Sequence, residues 1–201
     1  MIGVRDIGPN EAGTAARVLA GAFADDPVMA RLVRPAARNR RAKLTELFRA
    51  AVLSSRPQDV DVARRDGSDE ILGVAVWRSP AGGGPLLRAV PALLRAAAVL
   101  GPGSLLALAR YDLAVRPHLP PPPYWHLVDI GVSATARGEG VGTALLNHRL
   151  GVIDARGEAV FLEATTPESR RLYERSGFQA CGALTGVTAG ATAMLRPAAP
   201  R

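Results

Sequence analysis

The chain has 201 residues, enough for one domain with a substantial core, and its 48% hydrophobic content excludes general disorder. The net charge of +7 rests almost wholly on arginine, with Lys43 the one lysine; dispersed arginines and 4% aromatic residues lack the interleaving that stacks bases, so no nucleic-acid partner is expected. No run of about 20 apolar residues spans a membrane, no long apolar leader opens the chain, and the single Cys181 permits no internal disulfide, so a cytoplasmic protein without membrane contact is expected.

In chain order, residues 2–7 alternate enough for a first strand. Asn10 and Glu11 suit a helix cap, and the pattern after them predicts a helix over 12–24 that is ended by Pro27. Residues 38–56 form the clearest amphipathic helix, with Leu44, Leu47, Phe48, Ala51 and Val52 on one face and Arg41, Lys43 and Arg49 elsewhere. That stripe should pack on a sheet. Residues 59–65 and 70–78 flank the polar turn Asp66-Gly67-Ser68-Asp69 and read as an antiparallel hairpin. The break at 81–85, Ala-Gly-Gly-Gly-Pro, opens a helical insertion that runs to residue 119, with Leu86, Val90, Leu93, Leu94 and Ala97 at helical spacing.

Four prolines at 120–123 make a stiff connection to a strand over 125–132. The helix predicted over 143–155 buries Leu146, Leu150 and Ile153, and Gly151 within it is expected to mark a close approach. A strand over 159–164, a short helix over 167–176 and a hairpin over 178–195 turning near Gly186 follow. Cys181 is expected there as a small core residue rather than a nucleophile. The order is α+β, with one parallel pairing between the strands that start near Trp125 and Ala159.

The stretch Arg137-Gly138-Glu139-Gly140-Val141-Gly142 lies between a strand and a helix. Glycines at alternate positions permit a tight turn that leaves backbone N–H groups unpaired at a helix start, where the macrodipole favours negative charge. Arg137 adds a permanent cation whose fork of donors suits phosphate oxygens. A plain strand-to-helix connection is the alternative use of the same glycines. A dinucleotide-binding oxidoreductase fits less well, because the third glycine follows the second by two residues rather than three and strands do not alternate regularly with helices.

Arg137-x-x-Gly140-x-Gly142 resembles the acetyl-CoA pyrophosphate loop of the GCN5-related N-acetyltransferases (GNAT). The later block, Phe161-Leu162-Glu163 and then Leu172-Tyr173-Glu174-Arg175-Ser176-Gly177-Phe178, resembles the closing strand and helix of the same family. The two motifs, in this order, span about a quarter of the chain. Ala22-Phe23-Ala24-Asp25-Asp26-Pro27, Ala75-Val76-Trp77 and Trp125 are similar to the puromycin N-acetyltransferase branch. The chain departs from its relatives at Ala134, where proline is usual, at Glu139, where a basic residue is frequent, and at Thr166 and Ser169, where relatives often carry an asparagine that contacts CoA.

The resemblance implies one GNAT domain over 1–201, with a mixed, mostly antiparallel sheet flanked by helices and an insertion over about 82–119. It implies an acetyl-CoA-dependent transfer to the primary amine of a small molecule, without a metal; the three histidines and one cysteine show no zinc spacing. Ile130, Gly131 and Val132, with Arg137, Gly138, Glu139, Gly140, Val141, Gly142, Thr143, Thr166 and Ser169, would hold the CoA, and a backbone N–H in 130–132 would meet the oxyanion. Tyr173 matches the tyrosine that protonates the departing thiolate, against the plainer reading of a half-buried aromatic.

For the base, Glu163 ranks first and His126 close behind; Asp129 is expected to face the other way from His126, and a water chain is the remaining option. Asp25 and Asp26 either attract a cationic substrate or form a solvated helix-end turn. The insertion is expected to line the amine pocket, with a homodimer contact as the other use of its leucines. A non-catalytic acyl-CoA-binding sensor on the same fold is the competing function.

Overall fold

The structure, a computed structural model, describes residues 1–82, 86–188 and 190–198, and of residues 86–89 the backbone only. The glycines and proline at 83–85, where the sequence predicts the opening of the insertion, lie outside the described residues. Two strands rich in valine, β2 (Val60–Arg65) and β3 (Ile71–Arg78), flank the turn at Asp66-Gly67, and Val62 pairs opposite Val74 in antiparallel register. Around this hairpin gather β1 (Ile2–Asp6), β4 (Tyr124–Val132), β5 (Ala159–Ala164), β6 (Gln179–Ala183) and β7 (Thr192–Arg196). They form one sheet in the order β1-β2-β3-β4-β5-β7-β6, antiparallel throughout except for the parallel pair β4–β5.

Alternation along each strand sends two sets of side chains to opposite faces. Val62, Val74, Val76 and Phe161 meet α1 (Ala12–Ala22), α2 (Pro27–Leu32) and α3 (Arg40–Ser54) through Leu19, Val28, Leu44 and Phe48. Trp77, Leu127 and Leu162 meet α6 (Val141–Arg156) and α7 (Pro167–Arg175) through Leu145, Leu146, Ile153 and Tyr173. The insertion is a helical pair, α4 (Leu86–Leu100) and α5 (Pro102–Val115), broken at Gly101.

Several expectations need correction. Pro27 starts a helix rather than ending one: it stands at the first position of α2, and Asp26 caps that helix by accepting from the N–H groups of Val28 (2.8 Å) and Met29 (3.0 Å). Glu11 occupies the cap position of α1 without a side-chain cap bond; its carboxylate instead accepts from Gly8 N–H and pairs with Arg5 at 2.7 Å. On α4 the small residues Ala92 and Ala96 pack on Ala50, while Val90, Leu93 and Leu94 stay exposed. A β-carbon at Gly151 would meet nothing within 4 Å, so no close approach explains that glycine. Cys181 is exposed on β6, not in the core.

A buried ion pair joins β2 to α6. Arg149 donates to Asp61 at 2.5 and 3.1 Å, and Trp77 Nε1 donates to the same carboxylate at 2.9 Å. Burial pushes the Asp61 carboxyl upward, and Arg149 opposes that shift.

Candidate active site

The register of β3 against β4 slips by one residue. Arg78 faces His126 and Trp77 faces Leu127, but Val76 faces Asp129, so Val128 is an extra residue on β4. This bulge cancels the alternation that should separate His126 from Asp129 and places both on the face of Val76 and Arg78. The expectation that Asp129 faces away from His126 is thereby overturned. On the other edge of β4, pairing with β5 runs from Tyr124↔Ala159 to Leu127↔Leu162 and then stops. His126 faces Phe161 in that register, and Glu163, two residues on, shares its side of the sheet.

Three titratable side chains thus converge where the two parallel strands part. His126 Nε2 and Glu163 Oε2 are hydrogen-bonded at 3.0 Å, with the side chains 15% and 5% exposed. The second oxygen of Glu163 is buried without a hydrogen-bond partner among the described residues. Burial pushes the Asp129 carboxyl up to about 7; the neighbouring Glu163 adds to the shift, and His126 and Arg78 oppose it.

A cavity of about 520 Å³ opens on this cluster. Its walls bring together Ile130, Gly131 and Val132 of the unpaired β4 edge, Arg137, Asp129, Glu163 and Tyr173, with Thr166 and Ser169 from the start of α7. Tyr173 is buried and its phenol is pushed well up by burial and by Asp129, Glu163 and Asp26, which holds it protonated. Gly131 is needed for packing, since a β-carbon there would come within 2.7 Å of Ala22 and 3.1 Å of Leu19. Thr166 and Ser169 form a capping box for α7, with Ser169 N–H donating to Thr166 Oγ1 at 3.2 Å.

The glycine loop sits beside Arg137. Gly138 and Gly140 both take φ of 82°, the left-handed region where glycine is at ease, and Gly140 caps α6 without a side chain. Gly142 is already helical, as are Val141 and Thr143, so the loop proper is shorter than the glycine spacing suggests. The first-turn N–H groups of α6 have no helical acceptor of their own. Glu139 is turned away into an ion pair with Arg65 at 2.6 Å.

Asp25 is exposed and Asp26 buried in the same cavity wall. Both oxygens of Asp26 are engaged, one by the α2 cap and the other by Thr165 Oγ1 at 2.5 Å. Sequence reasoning missed Thr165 and, more consequentially, Tyr111. This residue of α5 reaches the cluster from the insertion and lines both the first cavity and a second one of about 340 Å³ that shares Asp129 and Glu163 with it. Nothing in the leucine-rich pattern around Tyr111 marks it.

Residues 63–178 match the model of the acetyltransferase (GNAT) family. The chain belongs to the GNAT family. A protein from Corynebacterium glutamicum ATCC 13032, described as histone acetyltransferase HPA2 and related acetyltransferase, is similar at 30% identity over 100% of this chain and 98% of its own, with a TM-score of 0.73. The Drosophila melanogaster polyamine N-acetyltransferase, which forms N-acetylagmatine, is 20% identical over 97% of each chain at a TM-score of 0.58. Mosquito arylalkylamine N-acetyltransferase like 5b is 16% identical over 98% of this chain and 100% of its own at 0.57. These last two share the GNAT fold: a seven-stranded, mostly antiparallel sheet flanked by helices.

GNAT enzymes use acetyl-CoA as cosubstrate. The residues present suit such a molecule: a β-carbon at Gly138 or Gly140 would meet nothing within 4 Å, leaving open space before the α6 N–H groups, and β4 offers an unpaired edge from 128 to 132.

Proposed function

We propose that the chain, as one GNAT domain over residues 1–201 acting in the cytoplasm, transfers an acetyl group from acetyl-CoA directly to the primary amine of a small molecule. The observation that carries this reading is that two cavities meet at Asp129 and Glu163, one reaching Arg137 and the other walled by the insertion. Acetyl-CoA supplies the thioester; the amine nitrogen bonds to its carbonyl carbon, and the C–S bond breaks to give CoA thiol and an N-acetyl amine.

Each residue then has a role. The first-turn N–H groups of Val141 to Thr143, presented by the turn at Gly138 and Gly140 and joined by Arg137, hold the pyrophosphate at the start of α6, and Thr166 and Ser169 shape the wall beside it. A backbone N–H at 130–132 donates to the carbonyl oxygen as it gains negative charge. Asp129, with its carboxyl near 7, and Glu163, oriented by His126, take the proton from the incoming ammonium. Tyr173 Oη gives a proton to the departing sulfur and is restored by the second proton, which the nitrogen sheds as the amide forms. Asp25 and Asp26 both lie on the first cavity and not on the second: Asp25 is an exposed charge at the end of the α1–α2 turn, and Asp26 holds the wall through its cap and Thr165.

We also place the chain near the puromycin N-acetyltransferase branch. The two tryptophans behind that placement have scaffold duties, since Trp77 bonds Asp61 and Trp125 Nε1 bonds Glu158 at 2.6 Å, so they carry no substrate assignment. A second copy of the chain is the partner that the exposed leucines of α4 and α5 would admit, with neither nucleic acid nor membrane required. Thiol release from acetyl-CoA with a library of amines tests the function. CoA binding without turnover on any amine would instead make the chain an acyl-CoA sensor.

A further inference from the structure

The two cavities differ in chemical character. The one beyond Asp129 and Glu163 is walled by helices: Met29 from α2, Leu47 and Phe48 from α3, and Leu93 and Leu108 from the insertion. Among the described residues that line it, the charged or titrating side chains besides Tyr111 are Arg78, His126, Asp129 and Glu163, and all four come from the sheet. Arg78 pairs with His126 in the β3–β4 register, and His126 bonds Glu163, so these groups form one floor. The hydroxyls of Ser54 and Ser55 on the helical wall donate back to Ala50 O and Ala51 O at 2.7 and 3.1 Å. The wall opposite the floor therefore presents carbon.

We propose that the acetyl acceptor is a primary monoamine with an aromatic or branched aliphatic tail, its nitrogen at Asp129 and Glu163 and its tail against Phe48, Leu93 and Leu108. The proposal rests on the acetyl-transfer reading and adds the substrate class. The volume of about 340 Å³ suits one ring and a short chain. A second ammonium or a guanidinium on the tail would lie against apolar side chains, with no carboxylate on the helical wall and with Arg78 itself part of the floor; an unpaired charge in such surroundings is strongly disfavoured. Tyr111, which touches both cavities, stands where they join, on the nitrogen's side of the tail.

The test measures thiol release from acetyl-CoA by the full-length protein with 2-phenylethylamine and 3-methylbutylamine on one side, and agmatine, spermidine and a lysine-containing peptide on the other. The expected result is that kcat/KM for the two apolar-tailed amines exceeds that for every other compound by about tenfold or more. Leu108→Glu, at a half-exposed position that tolerates polarity, is expected to reverse the order by giving a tail cation a partner, with circular dichroism confirming the fold. Agmatine, spermidine or the peptide turning over as well as 2-phenylethylamine in the parent protein would overturn the substrate class and leave acetyl transfer standing. No thiol release with any of the five amines, in protein that binds CoA, would overturn the acetyl-transfer reading and this inference with it.

Discussion

Asp129 combines a carboxyl pushed up to about 7 with a position on both cavities, and that combination has a thermodynamic consequence. An aspartate of ordinary value 3.8 in the unfolded chain binds fewer protons than the folded one between about pH 4 and 7. Stability is therefore fully present below the unfolded value and is lost as pH rises through the folded one. Asp129→Asn removes the dependence. Urea denaturation is expected to show the variant gaining on the parent from pH 4 to 7 and holding its lead above, while its turnover falls by about 10² or more. A stability difference that is flat with pH would mean that Asp129 ionises normally. Tyr173→Phe is expected to lower kcat by about 10²-fold with CoA affinity kept, since it removes the donor and preserves the ring packing on Phe178; calorimetry beside steady-state kinetics separates the two. Glu163 and Tyr173 were legible because they stand inside a recognisable block. The facing of Asp129 was not, because the bulge that turns it is a property of how β4 registers on β3, some fifty residues away in sequence.

Among the elements, the glycine loop and the Asp61–Arg149 pair make separable claims. Gly140→Asp strains a backbone at φ 82° and sets a carboxylate before the α6 N–H groups, whereas Gly140→Ala brings the strain alone. CoA affinity is expected to fall at least about tenfold further for the aspartate than for the alanine, a gap of about 1.4 kcal/mol by calorimetry. Asp61→Ala strands a guanidinium that cannot discharge, leaving it Asp6 at 3.4 Å, while Arg149→Met leaves a carboxyl already pushed toward protonation by burial. Thermal unfolding should therefore show a loss of about 3–5 kcal/mol for Asp61→Ala and a smaller one for Arg149→Met. The pattern of helices and strands was readable, because periodicity and turn residues are local. The role of Pro27 was not legible, because the same proline that stops one helix is suited to the first position of the next, and the choice lies with Asp26 as a cap.

For the whole molecule, the insertion decides what the common core acts on. Its two helices turn different sides to different surroundings: Leu108 lines the second cavity, and Leu94, 67% exposed, does not. Leu108→Ser is expected to raise the KM for the amine about fivefold, for roughly 1 kcal/mol of lost apolar contact, and Leu94→Ser to leave it unchanged. Equal effects from both would dissolve the distinction. The sequence announced this segment as helical and apolar but not which side faced the site, because the contact with α3 is made by the small Ala92 and Ala96 together with Leu100, while Val90, Leu93 and Leu94 of the same apolar pattern stay exposed. Among the described residues no single helix is long and apolar enough to cross a membrane.

Direct transfer requires two ligands, one in each cavity, that meet at Asp129 and Glu163. Initial-rate kinetics with acetyl-CoA and an accepted primary amine both varied, together with mass spectrometry of the protein after acetyl-CoA alone, test it most directly. Direct transfer gives intersecting double-reciprocal lines, thiol and N-acetyl amine formed one for one, and a protein that carries no acetyl group. Parallel lines with an acetylated side chain would contradict it.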